Sequence, residues 1–143
     1  MVDIYRLQFS STDSYSVGST KHTTSICTAI ADTSTTLLYL PSSVVQSYYN
    51  AVEGATNNAT AGIYIFPSSA DLPSFSITVG DASHTIPGRY MNYAPYTDDM
   101  CFGGIQDNTG MGYSISGDVF HKSQFVVFDV GYNRLGFAKQ ASS

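Results

Sequence analysis

At 143 residues the chain is close to the usual size of one domain, and a compact fold of that length buries roughly 68–70% of the surface its unfolded chain exposes. Only 12% of its residues are charged, against about 25% in an average globular chain, so the solvent face is built from other polar groups, and 34 Ser and Thr supply them. The 6 Lys and Arg against 11 Asp and Glu leave a formal charge of −5, which excludes nucleic acid as the main partner because so few cations cannot neutralise a run of phosphates. No apolar stretch reaches membrane-spanning length, and the start, Met1-Val2-Asp3-Ile4-Tyr5-Arg6, is too polar for a signal-peptide core. No membrane contact and an intracellular, cytoplasmic location are the expectation.

Eleven Tyr, eight Phe and no Trp fall among Thr and Val in short runs bounded by Gly, Pro, Asn and Asp, which implies a mostly β fold in a single unit, 1–143. Residues 3–9 set Tyr5, Leu7 and Phe9 on one side and Ile4, Arg6 and Gln8 on the other, the pattern of a half-buried strand. Further strands are expected near 13–17, 24–31, 36–40, 62–66, 75–79, 84–91, 101–105, 124–129 and 134–138, each bounded by turn residues. One stretch departs from this rhythm. After Pro41, residues Val44, Val45, Tyr48, Tyr49 and Val52 recur at helical spacing, predicting an amphipathic helix at about 42–53 with Ser42 or Ser43 as cap and Gly54 as stop. Asn57-Asn58-Ala59-Thr60 reads as a loop, and its glycosylation sequon at Asn58 is expected to be unused in an unexported chain. A short helix is expected after Gly117, with Asp118 capping its start.

Most motifs of known chemistry are absent. His22, His84 and His121 have no metal-ligand spacing, neither Cys27 nor Cys101 has a near thiol partner, and the glycines of 102–105 and 109–112 fit no phosphate-binding pattern, so neither metal nor cofactor is expected. Gly112-Tyr113-Ser114-Ile115-Ser116 ends in Ser where a nucleophile elbow needs Gly. The informative stretch is Ala29-Ile30-Ala31-Asp32-Thr33-Ser34-Thr35-Thr36-Leu37-Leu38-Tyr39-Leu40-Pro41, where one carboxylate interrupts a β-branched and apolar strand among four hydroxyl residues. A buried Asp needs several donors, and a carboxyl whose proton affinity is moved by its site suits acid–base work. Capping of a tight turn is the alternative role for that carboxylate.

The window resembles the hydrophobic-hydrophobic-Asp-Thr-Gly-Thr-Thr active-site loop in the C-terminal lobe of pepsin-like aspartic proteases, the fungal ones in particular. The resemblance continues in order through Phe102-Gly103-Gly104-Ile105-Gln106, residues 110–120, Phe125-Val126-Val127-Phe128-Asp129 and Leu135-Gly136-Phe137-Ala138, and so covers one lobe from Ile4 to Ala138. It implies a β-rich lobe of the double-psi type with one face built to meet a second lobe. It also implies Asp32 as the acid or base, Thr33 as the hydroxyl that bonds across to the partner lobe, and Thr35 as a donor to the carboxylate. Ile30, Ser34, Thr36 and Tyr39 would line the substrate cleft.

This sequence departs from the family at three places. Ser34 stands where the family has Gly, adding bulk where the backbone must approach the attacking water. Ser116 replaces a large apolar residue before the psi-loop Gly. Ser68, in Ile65-Phe66-Pro67-Ser68, replaces the Cys that the family lobe bridges to the one at Cys101, so both cysteines are expected as free thiols. Three functions follow from the resemblance. The first is a repurposed lobe, a pseudoprotease using Asp32 alone on a small apolar substrate in isomerisation, cyclisation or dehydration. The second is a homodimeric endopeptidase with one Asp32 from each protomer. The third is a non-catalytic module that binds a peptide or a separate N-terminal-lobe-like partner.

Overall fold

A computed structural model of the chain describes residues 6–9, 14–23, 29–32, 35–58, 60, 62–79, 82–109, 114–122, 124–129, 131 and 134–139. Strands β1 (Arg6–Phe9), β2 (Tyr15–Val17), β3 (Thr20–His22), β4 (Ala29–Asp32) and β5 (Leu38–Leu40) lead into helix α1 (Ser42–Asn50). Then come β6 (Thr56–Asn58), β7 (Ile63–Pro67), β8 (Phe75–Val79), β9 (Ala82–Ile86), β10 (Asn92–Pro95), β11 (Met100–Gly103), β12 (Ile105–Asp107) and β13 (Ser114–Ser116). Helix α2 (Asp118–His121) and the hairpin β14 (Gln124–Asp129) and β15 (Arg134–Lys139) close the chain. The strands form a five-stranded sheet in the order β1-β4-β13-β5-β12, two four-stranded sheets, β10-β11-β7-β6 and β3-β2-β8-β9, and the β14-β15 pair. This is a mostly β lobe of the pepsin-like fold, as the sequence implied.

Helix α1 forms because its apolar positions share one face: Val44, Val45, Tyr48 and Tyr49 are buried, and Val52 follows in the turn beyond. It is shorter than the spacing predicted, ending at Asn50, and no serine caps it. Pro41 is the N-cap, and its carbonyl accepts from the Val44 and Val45 amides at 2.9 and 3.1 Å. Ser42 and Ser43 lie within the first turn, where a hydroxyl cannot reach forward as a cap does, and Gly54 takes φ +79° in the turn that follows rather than ending the helix itself. Tyr49 stacks on Tyr64 with ring centroids 4.5 Å apart, and Tyr48 meets Tyr49 edge-on at 5.1 Å. Phe66, Phe75, Phe120, Leu38, Leu40, Ile77, Ile86, Met91 and Ile105 complete a core in which each side chain contributes about 1.5–3 kcal/mol by burial.

Other boundaries moved for definable reasons. The strand expected over 84–91 stops at Ile86, because Pro87 has no N–H to donate and Gly88–Tyr90 form a single 3-10 turn before β10 begins. The loop expected from 57 to 60 is in part a strand: Thr56, Asn57 and Asn58 pair with Ile65, Tyr64 and Ile63. Residues 24–28 of another expected strand, and with them Cys27, lie outside the described residues, while Ala29–Asp32 pair as expected of that segment's end. Cys101 is a buried free thiol, and its Sγ lies 3.4 Å from Ser68 Oγ.

Candidate active site

Asp32 is the last residue of β4. On one side β4 pairs antiparallel with β1, with Asp32 opposite Arg6; on the other it pairs parallel with β13, with Ile30 opposite Ile115 and Ala31 opposite Ser116. Strand β13 pairs antiparallel with β5 as well, Ile115 opposite Tyr39. It is therefore inserted, in a psi crossing, between β4 and β5, the two strands that the segment 33–37 connects.

The trailing half of that loop is clamped by α2. The Asp118 amide donates to the Thr35 carbonyl at 2.9 Å and the Val119 amide to the Thr36 carbonyl at 3.0 Å, so N–H groups that a helix start leaves without intrahelical acceptors hold the loop instead. Leu38 N donates to Gly104 O at 2.8 Å and fixes the loop's exit into β5. Between β13 and α2, Gly117 passes so close to the loop that a Cβ there would overlap the carbonyl oxygens of Thr35 and Leu37. Close approach, not an unusual φ, is what requires glycine at this point. The side chain of Asp118 makes no capping bond; Gly117 is the N-cap, and Asp118 is an exposed carboxylate in the first turn, where it faces the positive end of the short helix. That corrects the capping role expected for it.

Of the residues singled out in the sequence, Asp32 and Ile30 are placed as backbone on β4, Thr35 is half-buried, Thr36 is exposed and Tyr39 is half-buried on β5. Thr33 and Ser34 lie outside the described residues. The psi crossing brings Ile30 and Tyr39 to opposite sides of Ile115, two strands apart in one sheet. Directly behind, Ser116 is 1% exposed and its Oγ has no hydrogen-bond partner among the described residues.

A second polar cluster was missed in the sequence. At the end of β12 the Asp107 carboxylate accepts from the Thr109 amide at 2.7 Å and from the Thr109 hydroxyl, which lies 3.3 Å from Ser42 Oγ at the start of α1. Burial alone would raise the Asp107 carboxyl, but hydrogen bonds from Ser42 and Thr109 outweigh it and hold it below the usual carboxylate value. The signal was present as Asp107-Asn108-Thr109, an acid two residues before a hydroxyl, which favours such a turn. Elsewhere a hollow of about 380 Å³ is lined by Ser83, His84, Thr85, Pro87 and Gln124. Gln124 Nε2 donates to Thr85 O at 3.1 Å, which turns its Oε1 toward His84 Nδ1 at 3.1 Å and assigns the proton of that pair to the imidazole. Among the described residues no grouping of His, Cys, Asp or Glu could hold a metal ion, and no helix is long and apolar enough to cross a membrane.

A β lobe in which one strand is threaded between the two arms of an Asp-bearing loop is the arrangement that the sequence resemblance implied. The family model for eukaryotic aspartyl proteases matches residues 3–140, and the chain belongs to that family. It is 55% identical over 129 residues to Aspergillopepsin-1 of Aspergillus oryzae, and 54% identical over 131 residues to Penicillopepsin-1 of Penicillium rubens. It is 51% identical over 128 residues to Penicillopepsin-3 of Penicillium janthinellum. The first two alignments cover 90% of this chain and 33% of the relative, the third 88% and 32%. The chain thus spans about a third of the length of the curated relatives it matches.

Proposed function

We propose that this lobe supplies one half of an aspartic peptidase site, Asp32 being one of two carboxylates that share a proton, with the other given by the Asp32 of a second copy. Two carboxyls in contact cannot both ionise, so one acts as base on the attacking water while the other donates to the peptide carbonyl; the proton then passes to the leaving amine as the C–N bond breaks. The observation that carries this reading is the loop after Asp32, clamped through the Thr35 and Thr36 carbonyls in a lobe more than half identical to proteins named as pepsins. In this reading Thr33 bonds across the pair of lobes and Thr35 donates to the carboxylate. Ile30, Ser34, Thr36 and Tyr39 face the peptide.

A second reading keeps Asp32 as a lone acid or base acting on a small apolar molecule. Ser116 favours it: a buried hydroxyl without a partner among the described residues, together with Ser34 in place of the family glycine, is a change at the site itself and not at the surface. One experiment separates them. Peptide cleavage is measured at acid and neutral pH beside the sedimentation of the same sample, for wild type and for Asp32→Asn. Cleavage by a dimer that falls by roughly 10²–10⁴ in the variant supports the peptidase. A stable monomer that cleaves nothing overturns it; Asp32-dependent turnover of a small compound by that monomer would establish the second reading, and ligand binding indifferent to Asp32→Asn would leave a binding module.

A further inference from the structure

The sequon that an unexported chain would leave unused sits in a place built to carry a sugar, and we propose that Asn58 is an N-glycosylation site. Asn58-Ala59-Thr60 is the one Asn-x-Ser/Thr sequence in the chain. Asn58 ends β6, which is the outer strand of the sheet β10-β11-β7-β6, and Thr56 and Asn57 before it are exposed. After Asn58 the chain turns back: the Gly62 amide donates to the Asn58 carbonyl at 2.7 Å, with Gly62 at φ +71°, and the strand resumes with Ile63 opposite Asn58. Within the turn the Thr60 amide donates to Asn58 Oδ1 at 3.1 Å in a solvent-exposed bond. Oδ1 is thus engaged with the backbone of its own turn, which leaves Nδ2 as the end of the amide that meets Tyr96.

Nδ2 is the atom that would carry the sugar, and its surroundings allow it. It donates at 3.3 Å to the hydroxyl of Tyr96, again on the exposed surface, and Tyr96 is 40% exposed. A primary amide has two N–H donors, and an N-glycosidic bond keeps one of them. In the transfer Nδ2 attacks the anomeric carbon of an oligosaccharide carried on a lipid diphosphate. The N–C bond forms as the C–O bond to the diphosphate breaks; the diphosphate leaves with the electron pair, and the amide proton passes to a base of the transferring enzyme. The donor is a lipid-diphosphate oligosaccharide of the secretory pathway, so the proposal sets this chain there, against the location expected from its sequence. A glycan at Asn58 also covers an open sheet edge, where unpaired backbone groups would otherwise favour strand-to-strand association.

The test is cell-free translation of the chain behind a cleavable leader, with microsomes, reading only the protease-protected product. Wild type is expected to shift by one glycan. Enzymatic removal of the glycan is expected to convert the Asn58 side chain to a carboxylate, read by peptide mass. Asn58→Gln and Thr60→Val abolish the shift, and Thr60→Ser retains it. A protected wild-type product of unmodified mass overturns the proposal, as does a shift that persists in Asn58→Gln.

Discussion

Two parts of the lobe bury polar groups in equally dry surroundings and treat them differently. Around α1, β7, β11 and β12 the described buried polar tips are matched: Tyr48 donates to Pro73 O at 2.8 Å, Tyr49 donates to Ile105 O, and Gln106 Oε1 accepts from Tyr64 N at 2.9 Å while its Nε2 donates to Gly103 O at 2.9 Å. Burial drives both tyrosine hydroxyls well above their ordinary proton affinity, so they remain neutral donors at any ordinary pH. At the psi crossing the backbone fits as closely, yet Ser116 buries a hydroxyl that finds no acceptor among the described residues. Such a group costs about 1–3 kcal/mol. The difference teaches that, among the described residues, the shell remote from Asp32 is satisfied, whereas the layer behind the Asp32 loop tolerates a deficit, the usual direction of compromise between stability and function.

The strongest way to sharpen this contrast is a covalent tie in the satisfied shell. Ser68→Cys faces Cys101, 33 positions along the chain and already in van der Waals reach, and oxidation should raise unfolding free energy by about 3–4 kcal/mol, measured by denaturant titration with and without reductant. Any activity that depends on Asp32 should be unchanged. Breaking the other region is nearly as large an effect. Gly117→Ala forces a methyl into the carbonyls of Thr35 and Leu37, and a loss of about 2–3 kcal/mol is expected, with thermal melting as the check. A variant as stable as wild type would mean the loop is not clamped as described.

Ser116→Ala is the direct test of the deficit. It removes a hydroxyl that has no partner among the described residues and should stabilise the fold by about 1 kcal/mol in the same titration, whereas a loss of stability would show that the hydroxyl has a partner. The smallest effect concerns Asp107. Its carboxyl is held below its unfolded value, so its contribution is present above the unfolded carboxylate range, near pH 4, and is lost as pH falls through the lower folded value. The wild type should therefore lose stability on acidification more steeply than Asp107→Asn, as followed by unfolding curves between neutral and acid pH.

Parts of this were legible in the chain alone. The aromatic and Thr-rich composition fixed the β class, the spacing of Val44, Val45, Tyr48, Tyr49 and Val52 gave the face of α1, and the Asp32 window with the motifs after it pointed to the aspartyl protease family, which the family match bears out. Those signals are local: periodicity and short motifs are written in neighbouring residues. What escaped is what long-range pairing makes. Strands β3, β6, β10, β12 and β13 are three or four residues long and have no pattern of their own; they are strands because a distant segment supplies their hydrogen-bond partners. Ser42 and Ser43 read as caps, but the start of α1 is set by where Pro41 leaves β5. Only the tertiary structure decided that Gly117 must lack a side chain, that the α2 amides hold the Thr35 and Thr36 carbonyls, and that Ser116 is buried without a partner among the described residues. Each of these depends on which backbone atoms lie within a few ångströms across eighty or more residues of chain, and local sequence does not encode that distance.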